Sequence, residues 1–376
     1  MFTGKERFIA AAEHRELDRV PVAEHWVPHT LVEQIVGVPR SLYHAWGYAQ
    51  IAYWEGRRDE VVDQMKEHYV EFLRRTPLDS ASVELVPPRN WEFERPRALS
   101  NGEWEDATGS RLRWFESVHS VEVVETGTKQ APHTPHPPPD GSEWEFWDHV
   151  VRELGKTHFI MAMAPPIHPP DYCRVHLGRS RFKAFEALMF RIKEDPDSIA
   201  ASHVKQAESV YQGSLRARDH GADAVRICFD YGCSTGPYCS PADFRRAFLP
   251  GLKAQVDAVH RAGLKVILHV DGSMAPVIHQ IAEGGPDVYQ AVQSYEPLDA
   301  YKREVGGRLA FWGNVDNDRL ARGTPEEIRS LSRKAIETGK KGSGFILGSS
   351  HDILLPTPKE NFLAMVDAAI REGTYA

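Results

Sequence analysis

The sequence predicts an α/β fold, a single (β/α)8 TIM barrel carrying an irregular insertion in its N-terminal half. Three observations carry that expectation. From residue 224 onward, short apolar runs alternate with helical patterns five times, and consecutive strand–helix units require a parallel sheet with helical crossovers. Further apolar runs near Val20, Val83 to Val86 and Phe159 bring the strands to about eight. Polar and ionisable residues gather where strands end, the end at which such barrels hold their working groups. An open doubly wound sheet is the second architecture. No Gly-x-Gly-x-x-Gly follows a strand, so a dinucleotide site is not expected.

The elements follow in order. Thr3 to Glu13 reads as a short amphipathic helix with Phe8, Ile9 and Ala12 on one face. Asp18 to Val22 turns into a short strand that ends at Glu24 and His25. Tyr53 to Arg74 reads as one helix, its apolar residues Val61, Met65, Tyr69, Phe72 and Leu73 near a 3.6 period. Leu99 to Val124 alternates around Asn101-Gly102 and Thr108-Gly109 and predicts a β-meander. The Pro-rich stretch 131–141 is a loop within an excursion spanning 85–160. Five tryptophans in the excursion (Trp91, Trp104, Trp114, Trp144 and Trp147) suggest a lid, or an insert packed onto the barrel.

The second half is regular. Strands are expected at 159–164, 224–229, 265–270, 288–292, 309–312 and 345–347, and helices at 182–192, 196–220, 241–262, 274–283, 298–304, 325–338 and 359–371. Ser240-Pro241 and Thr324-Pro325 place a capping side chain before Pro at the first helical position. Gly263 and Gly339 stand just past helix ends, where a left-handed residue is wanted.

Composition narrows the function. The 376 residues hold 41% hydrophobic and 26% charged residues, enough for a large core and wrong for a disordered chain. Net charge is −8, which argues against a nucleic-acid partner held by bulk charge. No apolar run reaches the roughly 18 residues of a membrane span, and the N-terminus lacks a secretory signal, so the expected location is the cytoplasm. Cys173, Cys228, Cys233 and Cys239 are too few for a disulfide scaffold. Cys228 reads as a small apolar residue within a strand, and the gap between Cys233 and Cys239 is unlike structural zinc spacing.

The strand ends supply the candidate site. They read Glu24-His25-Trp26, Asp230-Tyr231-Gly232, His269-Val270-Asp271-Gly272, Gln293-Ser294-Tyr295, Gly313-Asn314 and Ser349-Ser350-His351-Asp352. His269 and Asp271 stand two apart, so both face the same side of their strand. A His with a carboxylate suits metal ligation, acid–base chemistry, or a structural hydrogen bond supporting the loop. Asp230 follows a buried strand, which predicts partial desolvation and a raised pKa, or a capping role toward Gly232 or Cys233. His351 joins His269 across the mouth or caps a helix. Catalytic candidates are therefore His269, Asp271, Asp230 and His351, with His269 and Asp271 the candidate metal ligands. Glu24, His25, Trp26, Tyr231, Gln293, Tyr295, Trp312 and Asn314 are candidates for substrate binding, the aromatic ones by stacking.

Several of these residues resemble a known family. Glu6-Arg7-Phe8-Ile9-Ala10-Ala11, Asp18-Arg19-Val20-Pro21-Val22, Asp230-Tyr231-Gly232, Ser240-Pro241-Ala242-Asp243-Phe244, the run Gly263 to Gly272, Gly323 to Glu327 and Ser350 to Ile353 resemble the uroporphyrinogen decarboxylase-like superfamily. The resemblance implies one (β/α)8 barrel and either decarboxylation or methyl transfer involving corrinoids, thiols or folates. True uroporphyrinogen decarboxylases carry Met-Arg-Gln-Ala-Gly-Arg where this chain has Val22 to Pro28, which leaves the many substrate carboxylates without counter-charges. The zinc methyltransferases use a His-x-Cys pair and a distant Cys; here those positions hold His269, Asp271 and Ser350. The resemblance thus implies a methyltransferase acting on a corrinoid or tetrahydrofolate. A divalent metal such as zinc, a corrinoid protein partner and a homodimer belong to the same expectation. The alternatives are a decarboxylase of a small aromatic acid, with Arg19, Arg174 and Arg226 as substrate arginines, and a non-catalytic binding barrel.

Overall fold

The computed structural model describes residues 2–129, 136–167 and 178–375, the stretch 178–184 by its backbone alone. Seven parallel strands form the main sheet: β1 (Ser80–Val83), β2 (Phe159–Ala162), β3 (Ala224–Cys228), β4 (Lys265–His269), β5 (Val288–Val292), β6 (Ala310–Val315) and β7 (Phe345–Ser349). They lie side by side in chain order, with helical crossovers between them. The segment 21–23 occupies the eighth position without forming a full strand. Val22 bridges Leu347 in parallel, Ala23 N donates to Leu347 O (3.0 Å), and Asp79 N donates to Val22 O (2.8 Å). Both sheet edges are thereby joined and the barrel closes.

Alternation along the strands sorts the core into two layers. Phe159, Met161, Ala224, Ile267, Val288, Ala310, Trp312 and Ile346 point inward and pack with Ala23 and Phe8. Val225, Val266, Leu268, Tyr289, Phe311, Phe345 and Leu347 point outward and pack with the helices. The helix Gly4–Ala12, started by a capping box between Thr3 and Glu6, plugs the bottom of the barrel by stacking Phe8 on Phe159 at 4.1 Å.

The excursion contains less irregular chain than 85–160 suggests. Its foreign part is a four-stranded antiparallel sheet (97–100, 103–105, 111–115 and 120–125), whereas the helix Glu145–Leu154 and β2 belong to the barrel. Trp104 packs on Trp54 and Trp114 on Tyr48, so this sheet rests on the helix Trp46–Trp54. His29 and His119 add a 2.8 Å ring-nitrogen hydrogen bond between the two regions. Residues 131–135 of the Pro-rich stretch lie outside the described residues.

Three expectations change. The helix expected from Tyr53 to Arg74 is two helices, Trp46–Trp54 and Arg58–Arg75, because Gly56 takes a left-handed φ of 72° between them. The long helix 241–262 splits into Pro241–Ala247 and Leu249–Arg261, since Pro250 has no N–H to continue the ladder. Gly339 is helical, not left-handed; a Cβ there would come within 2.2 Å of the Phe345 ring, so close packing is what requires glycine. The Ser240 and Thr324 caps form as expected, each side chain accepting a backbone N–H three residues on.

Candidate active site

Above the apolar floor, to which Trp312 belongs, the next inward positions of β3, β4 and β5 are polar. Cys228, His269, Gln290 and Trp312 are register neighbours across β3, β4, β5 and β6. His25 hangs in from the closing segment, and Asp271 and His351 stand on the loops after β4 and β7. Rings of His25, His269 and His351 lie 5.2 to 6.5 Å apart, so three histidines share the mouth.

A chain of hydrogen bonds fixes their tautomers. Gln290 Nε2 donates to His25 Nδ1 (2.7 Å), so the proton of His25 is on Nε2, which pairs with Asp352. Gln290 Oε1 can only accept, so His269 donates to it from Nδ1 (2.5 Å). The Nε2 lone pair of His269 is left facing the mouth, 3.9 Å from Asp271 Oδ1. Burial, with the nearby charges of His25 and Arg226, pushes the His269 pKa down to about 4, so the ring is neutral near pH 7. Burial likewise lowers His25 against the pull of Asp352.

Asp271 and His351 form a second unit. His351 Nδ1 accepts the Asp352 N–H (2.6 Å), so its Nε2 carries the proton it shares with Asp271 Oδ2 (3.1 Å). The bond to Asp271 raises the His351 pKa. Burial works against the Asp271 carboxylate, but the His351 hydrogen bond together with the charges of His351 and His269 outweighs it and lowers the pKa. Gln293 Nε2 donates to the other Asp271 oxygen (3.1 Å).

Glu24 is buried and reaches Ser349, its Oε2 2.6 Å from Ser349 Oγ. That hydroxyl also contacts the His351 carbonyl, which can only accept. One hydroxyl hydrogen cannot serve both, so the Glu24 carboxyl supplies the second proton. Burial pushes its pKa up to about 8, in agreement. Glu24 thus anchors the loop that holds His351.

Other expected site residues fall elsewhere. Tyr231 is buried among Phe229, Phe244 and Phe248, outside the barrel rather than along the mouth. Trp312 is buried in the barrel floor, its Nε1 donating to Ala23 O (2.9 Å), so it offers no stacking face to a ligand. Trp26 stacks on His44, and Tyr295 is half exposed on the rim. Asn314 has a left-handed φ of 82° and donates to Gln293 O (3.2 Å), which positions the rim. Asp230 is exposed, so the desolvation expected after a buried strand is absent, and it caps neither Gly232 nor Cys233. Cys228 does not pack as an apolar residue; it is the last residue of β3 and is exposed at the mouth. Cys233 sits on an exposed hairpin. Arg19 pairs with Asp79 at the opposite end of the barrel, and Cys173 and Arg174 lie outside the described residues.

Sequence reading did not single out Gln290, and it named Asp352 only as the last residue of a strand-end run without giving it a role. Gln290 lies inside an apolar strand, two residues after inward-facing Val288, and that period-2 placement of one polar residue was its signal.

Two donor sets share His269. Its ring nitrogen with Asp271 and His351, and with Cys228 and Asp230, form groups whose ligand atoms lie within 4.8 Å of one another.

Residues 149–372 match the family model described as uroporphyrinogen decarboxylase (URO-D). The chain belongs to the URO-D family. A uroporphyrinogen decarboxylase of Streptomyces coelicolor is 30% identical over 222 residues, covering 58% of this chain and 59% of that protein. A chloroplastic uroporphyrinogen decarboxylase of Zea mays is 34% identical over 155 residues, covering 40% of this chain and 37% of that one. The chain therefore spans less than two thirds of the length of these relatives. A solved structure named as a methyltransferase from Methanosarcina mazei superposes with a TM-score of 0.65 at 17% identity, covering 98% of this chain and 99% of its own. That likeness shows a shared URO-D fold. Among the described residues no helix is long and apolar enough to cross a membrane.

Proposed function

We propose that this barrel transfers methyl groups to or from a corrinoid or a tetrahydrofolate in a demethylation pathway. The observation that carries the reading is the single lone pair of His269 held at the mouth by Gln290, beside an Asp271–His351 unit that holds a proton. Methyl transfer is a displacement. The acceptor's electron pair forms the new bond to carbon, the donor atom keeps the pair of the bond that breaks, and the donor atom then takes up a proton. Asp271, held ionised beside His351, can receive the proton of the acceptor and return it to the donor atom. The fold is shared with a protein named a methyltransferase, which gives the class of reaction to test.

The donors fit a divalent metal such as zinc. His269 Nε2 would hold it together with the Asp271 carboxylate, and Gln290 would orient the ring from behind. When bound, the metal supplies Lewis-acid stabilisation of charge on the donor or acceptor atom.

One observation favours a second reading. Arg226 points into the barrel from β3; its Nε donates to Met163 O (2.9 Å), and among the described residues no carboxylate pairs with it. An unpaired guanidinium suits a carboxylated substrate, as a decarboxylase of a small aromatic acid would need.

The test is a labelled-methyl assay from methyltetrahydrofolate and from methylcobalamin. We expect transfer by the wild type and a loss of about 10²–10⁴-fold in His269→Ala. Carbon dioxide release from an aromatic acid, with no methyl moved from either donor, would replace this reading by the second.

A further inference from the structure

Behind the mouth lies an acid that the proposed chemistry does not use. Glu296 stands four residues past β5 and is 4% exposed. Its Oε1 accepts from Tyr289 Oη (3.0 Å), Tyr301 Oη (2.8 Å) and Met274 N (3.2 Å), and its Oε2 accepts from Gln293 N (2.8 Å). Among the described residues no cation pairs with it. All four partners are neutral donors, which suits a carboxylate that only accepts. Burying a carboxylate without a cation is costly, and apolar packing would join the same elements at less cost. Stability alone is therefore a poor account of Glu296, and the places its four bonds lead to give a better one.

Two of the bonds fasten the elements behind the site: Tyr301 lies on the helix Leu298–Val305, and Tyr289 lies on the outward face of β5. The other two fasten loops at the mouth. Met274 ends the turn that begins at Asp271, where Gly272 takes a left-handed φ of 100°. Gln293 is held by its backbone N–H, and its Nε2 donates to Asp271 Oδ1 (3.1 Å). Asp271 is thus reached from two directions, along its own loop through Met274 and across the mouth through Gln293. Both lead to one carboxylate. His351, on the loop after β7, holds the other Asp271 oxygen.

We infer that Glu296 is a positioning residue, which pins the loops after β4 and β5 to each other so that Asp271 keeps its place beside His351 during proton transfer. The inference rests on the reading that Asp271 relays the proton; Glu296 acts only through Gln293 and Met274. A glutamine in its place shows why the carboxylate matters. A side-chain amide has one oxygen. Whichever way it is turned, its NH2 group faces either Met274 N or Gln293 N, two donors meet, and one loop anchor is lost. The tyrosine hydroxyls can turn to accept, so the helix stays attached. Burial pushes the Glu296 pKa up to about 7 against the pull of the four bonds, so the clamp is best measured at about pH 8.5, where the carboxylate is ionised.

Two measurements on the full-length protein test this. Nitrogen-15 NMR follows the Gln293 side-chain amide, assigned by its loss in Gln293→Ala, and Asp271→Ala gives the position of that amide without its acceptor. We expect Glu296→Gln to move the resonance most of the way to the Asp271→Ala position. Tyr301→Phe removes a donor on the helix side only and should leave it in place. In the labelled-methyl assay, Glu296→Gln should lower kcat about 10- to 100-fold with KM unchanged. Tyr301→Phe should keep kcat, although both variants melt earlier than wild type. A Gln293 amide that stays at its wild-type position in Glu296→Gln, or equal kcat losses in Glu296→Gln and Tyr301→Phe, would overturn the role and reduce Glu296 to an anchor of the fold. Absence of methyl transfer by the wild type, with the amide moving as expected, would overturn the methyl-transfer reading and leave the clamp on Asp271 standing.

Discussion

The two ends of the barrel use the same residue types in opposite ways. At the bottom, where strands begin, charges are paired. Asp79, Asp223 and Asp287 each stand one residue before a strand and accept a backbone N–H from a neighbouring segment, at 2.8, 2.9 and 2.7 Å. Each also has a cation: Arg7 and Arg19 on Asp79, Lys5 on Asp223, His260 and Lys265 on Asp287. At the mouth, Arg226, Asp230, Cys228 and the Nε2 of His269 lack such partners among the described residues. The bottom holds the ring of strands together. The mouth carries donors that the fold does not satisfy, which is where a ligand contributes binding energy.

The largest effect should come from the bottom. Asp79 is buried and takes hydrogen bonds from Arg7, Arg19 and Val22 at once. Asp79→Ala leaves two guanidinium groups short of a partner and should cost about 3–5 kcal/mol in urea unfolding. A cost below about 1 kcal/mol would mean that the bottom network is no more structural than a surface pair.

At the mouth the same kind of cut should register in chemistry instead. Gln290→Leu removes both hydrogen bonds that set the His25 and His269 tautomers. We expect turnover or metal affinity to fall about 10–100-fold, as for other groups that orient a ligand from behind. Gln290→Glu should restore most of it, since a carboxylate still accepts from His269 Nδ1. If Leu and Glu behave alike, the amide is a packing residue and the tautomer argument fails.

This contrast was only half legible in the sequence. The strands and helices of the second half follow from period-2 runs, Ser/Thr-Pro caps and short turns, all local signals, whereas the bottom ends read as ordinary turns and the pairing of Asp79, Asp223 and Asp287 emerges only in the fold. At the mouth the sequence offered His351 either as a neighbour of His269 or as a helix cap, and the fold places it beside His269 and Asp271 because residues at strand ends converge in a closed barrel. Sequence reading misassigned Tyr231 and Trp312, whose neighbours in space come from other strands and helices. Cys228 looked apolar because three of the other four residues of its strand are, and only the direction of the inward row shows its thiol at the mouth. Gln290 gains its meaning from His25, 265 residues away.

Glu24 links the two behaviours, being an acid at the mouth used for structure. Its pKa is raised from 4.5 in the unfolded chain to about 8 in the fold. Between those values the folded state holds a proton that the unfolded state releases, so stability is full below about pH 4.5 and falls as pH rises toward 8. Glu24→Gln keeps the neutral hydrogen bonds and should flatten the decline in unfolding free energy from pH 5 to 8. An unchanged slope would show that Glu24 is ionised in the fold and that the proton on Ser349 is arranged differently.

The smallest effect is the sharpest test of the comparison. Asp230 stands just past the end of β3 as Asp223 stands before its beginning, but Asp223 is tied to Lys5 (2.8 Å) and Ile160 N (2.9 Å), and Asp230 to no side chain among the described residues. Removing an exposed carboxylate that has no side-chain partner among the described residues takes nothing from the fold. Asp230→Ala should therefore leave the metal-free protein within about 0.5 kcal/mol of wild type. Zinc should separate the two proteins: a metal held at 100 times its Kd stabilises wild type by about 2.7 kcal/mol, and a variant with fewer ligands gains less. Melting curves with and without zinc measure both numbers. A destabilised metal-free variant would make Asp230 one more structural acid, and the two ends of β3 would no longer differ in kind.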